Sequence, residues 1–184
     1  VLRSPRKVGT MLLGNLGAQV IQAIVLGITL AAFGETAALS QLILINTAMP
    51  GSGPMIEASI RKLGFDPEDI KLLLANHPHI DHVGAHAYLQ KISGAKVAMI
   101  AESVAEMESG GAIDFFYGGV KEFLYEPVKV DHVFRDGDVI KLGDVALKAY
   151  LTEGHCKGAT TFTTTITDNG QSYQVVIPDG AGAN

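Results

Sequence analysis

The stretch from Lys71 to His86, Lys-Leu-Leu-Leu-Ala-Asn-His-Pro-His-Ile-Asp-His-Val-Gly-Ala-His, constrains the fold more than any other part of the chain. Leu72, Leu73 and Leu74 form an apolar run long enough for a buried strand. Pro78 lacks a backbone donor, so the strand's ladder should end about there, at a polar cluster of His77, His79, Asp81 and His82. A strand running into a loop at its C-terminal end is where open α/β sheets place their chemistry. His77 and His79 are two apart and point the same way in extended chain. Asp81 and His82 follow at a turn and can aim at a second point nearby. Neutral imidazole and carboxylate suit zinc and related divalent metals. Four potential ligands between positions 77 and 82, directly after an apolar strand, argue against a polar loop that carries histidines by chance.

A metal site needs ligands from elsewhere in the chain, and the remaining histidines are His86, His132 and His155. His155 lies in Thr152-Glu153-Gly154-His155-Cys156-Lys157-Gly158, after the strand-like Val145 to Leu151, so it too sits where a strand enters a loop. Gly154 and Gly158 permit tight backbone there. His155 is therefore the expected next ligand. His86 stands four residues after His82 on an expected helix, either supporting the ligands or, as the preferred reading, facing solvent. His132 alternates with apolar neighbours and is read as a solvent-facing strand residue. Cys156 adjoins His155 and so points away from the site, as a small loop-filling residue. Asn46, at the end of a neighbouring strand, is either a support for the ligands or a simple turn residue.

A chain of 184 residues is long enough for one domain with a substantial core. The net charge of −5 and the lack of a basic stripe argue against a nucleic-acid partner. One cysteine allows no internal disulfide and leaves the compartment open. Arg3, Arg6 and Lys7 precede an uncharged span from Val8 to Gly34, in which Val20 to Phe33 is nearly all apolar. That pattern predicts a secretory signal, with a periplasmic or secreted protein, or alternatively a membrane anchor making contact through residues 8–34. Buried helix or strands of the core are the other reading of the same span.

From Leu42 onward the elements are orderly. Leu42 to Ile45 reads as a buried strand. Ser52 and Pro54 open a helix whose apolar stripe is Ile56, Ile60 and Leu63, with Gly64 at its end. Asp66 to Asp69 makes a helical turn, Val83 to Ile92 a helix, Lys96 to Ala101 a strand and Glu102 to Glu108 a short helix. Ser109 to Gly119 is a Gly-rich aromatic loop whose length suggests a flap over a site; an ordinary surface loop is the alternative. Alternation from Val128 to Phe134, then Val139 to Lys141, Val145 to Leu151, and a hairpin of Thr160 to Thr167 with Ser172 to Ile177 make the second half strand-rich. Two packed sheets with helices outside fit this order.

His77-Pro78-His79-Ile80-Asp81-His82 and Gly154-His155 resemble the signature motifs of the metallo-β-lactamase superfamily. The segments Ile45 to Pro50, Ser52 to Ile56, Ile60 to Phe65, Glu108 to Gly111 with Asp114-Phe115, and Lys129 to Asp131 followed by Asp136 to Asp138 resemble its third β-lactamase subclass more closely. The resemblance runs from about Leu42 to Asn184, and implies a domain at 42–184 after an N-terminal segment at 1–41. It implies an α/β fold, the αββα sandwich, with one zinc on His77, His79 and His155. A second zinc would take Asp81, His82 and a later histidine. No histidine follows His155, so one tight zinc, and a fold lacking its C-terminal part, are the expectations. Gly180 and Gly182 stand where the family often carries serines that contact the substrate carboxylate. The implied activity is zinc-dependent opening of the β-lactam amide by metal-bound hydroxide, with a small-molecule β-lactam as the partner and Asp81 orienting the hydroxide or moving its proton. A lactone or thioester hydrolase of the same superfamily, and a non-catalytic metal-binding fragment, are the alternatives.

Overall fold

The computed structural model describes residues 41–168 and 170–179, with the Asp168 side chain also left undescribed. The apolar span at 8–34 and the loop at 180–184 lie outside them, as do the signal, anchor and late-loop expectations. No helix among the described residues is long and apolar enough to cross a membrane.

The first half of the domain builds a four-stranded parallel sheet in the order β1-β2-β3-β4, from Leu42–Ile45, Ile70–Leu74, Lys96–Ile100 and His132–Phe134. The second half builds a four-stranded antiparallel meander, β5-β6-β7-β8, from Val139–Leu142, Val145–Leu151, Thr160–Asp168 and Gln171–Ile177. Helices α1 (Gly53–Lys62), α2 (Ile80–Val83), α3 (His86–Ser93) and α4 (Val104–Glu108) belong to the first half.

The unbroken Leu72-Leu73-Leu74 run is explained by burial on both faces of the parallel sheet. Leu73, Val97 and Met99 turn towards the helices and pack with Ile60, Val83, Leu89 and Met107. Leu72, Leu74, Ala98 and Ile100 turn the other way, onto Ile140, Leu147, Ala149 and Phe162 of the meander. β6 instead alternates, with Leu147 and Ala149 buried and Lys148 and Tyr150 exposed, because only one face of the meander is packed against the other sheet. The layers are thus helix, sheet and sheet; among the described residues no helix covers the outer face of the meander.

Several local expectations are corrected. The helix read over Val83 to Ile92 is two helices broken at Gly84-Ala85, since the chain turns hard against Pro50: a Cβ on Gly84 would meet the ring Cδ of Pro50 and the Ile80 carbonyl oxygen at 2.5 Å each. Ser52 precedes α1 but makes no capping hydrogen bond, because it is itself wound into a 3-10 turn over Pro50–Ser52. Leu63 is 41% exposed, so the buried stripe of α1 ends at Ile60. Only His132–Phe134 of the alternating Val128 to Phe134 segment is strand. His132 is exposed, as expected.

Candidate metal centre

The site lies at the C-terminal end of β2, and it is positioned by a polar stitch between the two sheets. Asn46, just past β1, has a left-handed backbone (φ 64°), a conformation asparagine tolerates well. Its amide nitrogen donates to Oδ1 of Asn76 at 2.6 Å, and its Oδ1 accepts from the Asn76 backbone N–H at 3.0 Å. Asn76 then reaches across to the meander: its Nδ2 donates to the Thr160 carbonyl at 2.6 Å, and its own carbonyl accepts from the Thr160 N–H at 2.8 Å. Asn46 therefore supports the ligand loop, as one of its two readings held. Asn76, which the sequence reading passed over, is buried and fully engaged, and it fixes the residue before His77 to both sheets.

From there the chain delivers His77 and His79, and the loop after β6 delivers His155. The three rings meet nearly at right angles, with centroid separations of 4.6 Å (His77–His79), 4.6 Å (His77–His155) and 4.8 Å (His79–His155). Nδ1 of His79 stands 3.0 Å from Nε2 of His155. Two ligands on tetrahedral arms of about 2.0–2.1 Å are separated by roughly 3.3 Å, so this spacing is close to that of a shared cation. Nδ1 of His77 is occupied by Oδ2 of Asp179 at 2.8 Å, while its Nε2 is buried and has no hydrogen-bond partner among the described residues. A bare imidazole nitrogen, buried beside two others, fits a divalent metal held by His77, His79 and His155, which offer ligand atoms within 4.8 Å of one another.

Asp81 and His82 start the next helical turn and form a second group with His77, again within 4.8 Å. His82 lies against His77, ring centroids 3.8 Å apart, and its Nε2 is 3.8 Å from Oδ2 of Asp81. Burial, and then the neighbouring His77, pull the His82 imidazole down to about 4, so it stands neutral and available as a ligand. His79 is likewise held below its ordinary value by burial and by His77 and His155.

A third group, His79 with Glu106 and Asp114, was not singled out as part of the site in the sequence. Oδ2 of Asp114 lies 3.3 Å from Nε2 of His79. Burial alone raises the Asp114 carboxyl, but the amides of Tyr117 and Phe116, and then His79, together hold it below the usual carboxylate range. Glu106, from α4, is pushed up to about 7 by burial and by the neighbouring charge of Asp114. The sequence signal for Asp114 was its place in the long aromatic loop, which does border the site: Tyr117 packs edge-on to His79 at 5.4 Å. Asp179, the partner of His77, follows β8 much as the ligand loops follow β2 and β6.

His86 is corrected. It is fully buried rather than on a helix surface, with Nδ1 2.7 Å from Oγ1 of Thr47, and burial takes its imidazole down to about 3. Its helix turns inward beneath β2 because of the break at Gly84. Cys156 is buried as expected, and burial pushes its thiol up to about 12, which leaves it inert as a nucleophile. Gly158 is required for space: a Cβ there would fall 1.8 Å from Oγ of Ser103.

Comparison with known proteins agrees with this geometry. Native FEZ-1 metallo-beta-lactamase from Legionella gormanii superposes with a TM-score of 0.73 at 40% identity, over 75% of this chain and 53% of that one. BJP-1, a subclass B3 metallo-beta-lactamase of Bradyrhizobium japonicum, gives 0.69 at 37% identity, over 76% and 52%. Among curated proteins, a probable metallo-hydrolase of Burkholderia pseudomallei is 26% identical over 52% of this chain and 32% of its own length. A hydroxyacylglutathione hydrolase of Methylobacterium is 27% identical over 59% and 35%. The chain thus spans about half the length of the solved enzymes and about a third of these curated relatives. The sequence profile of the metallo-beta-lactamase superfamily matches residues 40–168, most of the described molecule, and the chain belongs to that superfamily.

Proposed function

We propose that this chain is the metal-binding part of a zinc hydrolase that opens the amide bond of β-lactams. The observation that carries the reading is the convergence of His77, His79 and His155 on one point in a fold similar, at 40% identity, to a metallo-beta-lactamase. These three side chains would hold the tight zinc. Asp81 and His82, with His77 alongside, would hold a second one. Zinc supplies a water acidified to a pKa of about 7 and a Lewis acid for the carbonyl. The protein's own part is positioning and proton transfer. Asp81, whose side chain is 40% exposed with Oδ2 3.8 Å from Nε2 of His82, would orient the attacking water or move its proton. Asn46 and Asn76 hold the ligand loop rigid while this occurs. The aromatic loop, with Phe115 and Phe116 projecting into solvent, offers apolar surface to the substrate.

A second reading, a thioester or lactone hydrolase, is favoured by the likeness to a hydroxyacylglutathione hydrolase. Hydrolysis assays on a penicillin, a carbapenem, an acyl lactone and an acylglutathione separate the two. Turnover of the β-lactams alone supports the first, and turnover of only the esters or thioesters replaces it with the second. The basic, then apolar N-terminal stretch supports a periplasmic or secreted location, which cell fractionation tests.

A further inference from the structure

Asp114 faces two structures at once. Its Oδ2 is 3.3 Å from Nε2 of His79, while Oδ1 accepts the backbone N–H of Phe116 at 2.8 Å and also that of Tyr117. The first contact is to a candidate ligand; the second winds the turn that displays Phe115 (81% exposed) and Phe116 (70% exposed) beside the site. Tyr117, in the same turn, packs on the His79 ring and on Phe116. The flap is therefore joined to His79 by one carboxylate as well as by ring contact.

We infer that Asp114 is a positioning residue that couples metal loading at His79 to the ordering of the aromatic flap, an inference that rests on the metal site proposed above. The reason lies in which nitrogen carries the proton. Nδ1 of His79 is the atom turned towards His155, so ligation requires it bare and requires the proton on Nε2. Nε2–H must then find an acceptor, and Asp114 provides it. A metal that fixes this tautomer strengthens the bond to Oδ2 and holds the carboxylate in place. Oδ1 is then held as well, and with it the amides of Phe116 and Tyr117. Only a group that accepts on both sides can do this. An asparagine can keep its oxygen on the two amides, but its NH2 then faces Nε2 and favours the tautomer with the proton on Nδ1. If it flips, the NH2 faces two N–H donors. Either way one arm of the clamp is lost.

The test is amide hydrogen exchange at 113–119 in the full chain, metal-free and with Zn2+, alongside Zn2+ affinity by chelator competition. In the parent, Zn2+ slows exchange of the Phe116 and Tyr117 amides several-fold. In Asp114→Asn the affinity falls about 10–100-fold, the size typical for loss of a ligand's hydrogen-bond partner, and Zn2+ at saturation no longer slows those amides. A merely structural role for Asp114 would change exchange in both metal states alike. A parent that binds Zn2+ tightly with unchanged flap exchange overturns the coupling and leaves the metal site standing. So does an Asp114→Asn variant that keeps the metal-dependent protection. A parent that binds no Zn2+ overturns both. The parent measurement stands alone should the variant fail to fold.

Discussion

Oδ2 of Asp179 lies 2.8 Å from Nδ1 of His77, across 102 positions of sequence. The contact commits Nδ1 and leaves Nε2 as the atom that can bind metal, in the manner of a carboxylate–histidine–metal relay. Asp179→Asn is expected to lower zinc affinity by about 10–100-fold with little loss of fold. The backbone of Asp179 keeps its bonds to Thr152 and Thr161. Chelator competition on parent and variant checks it; an unchanged affinity would remove Asp179 from the site.

His86 makes stability depend on pH. Its folded value, about 3, lies below the ordinary 6.5, so the fold holds the neutral form. Its contribution is complete above about pH 6.5 and is lost as pH falls towards about 3, because in that window the unfolded chain binds the extra proton. The slope for one such group approaches about 1.4 kcal/mol per pH unit. Metal-free His86→Gln should therefore show a shallower loss of unfolding free energy between pH 6.5 and 5 than the metal-free parent. Urea titrations at both pH values measure the difference, and parallel slopes would show that His86 is not buried in neutral form.

Phe162 is fully buried between the sheets, 5.9 Å from Phe134 ring to ring. Phe162→Ala should cost about 3–5 kcal/mol of unfolding free energy. A loss below about 1 kcal/mol in the same titrations would mean that the two sheets do not share a tightly packed layer.

Much of this was legible in the sequence because burial writes itself into periodicity. The Leu72-Leu73-Leu74 run announced a strand covered on both faces, and the alternation in Val145 to Leu151 announced one covered on a single face. The ligand cluster was legible because four donors crowd the end of β2. What escaped was long-range pairing. Asp179 and His77, Asp114 and His79, and Asn76 and Thr160 are far apart in the chain, and nothing local marks an aspartate that accepts from a histidine. His86 misled for a related reason: periodicity cannot foresee the break at Gly84, which depends on Pro50 pressing against it.

The most direct measurement is zinc content per chain after dialysis, in the parent, His155→Ala and His82→Ala. His155 completes the three-histidine group, whereas His82 belongs only to the group with Asp81. About one retained zinc in the parent, none in His155→Ala and nearly one in His82→Ala are expected, since three protein ligands and an open position make a full catalytic set. A parent that retains no zinc, or a His155→Ala variant that retains as much as the parent, would contradict the assignment of the site.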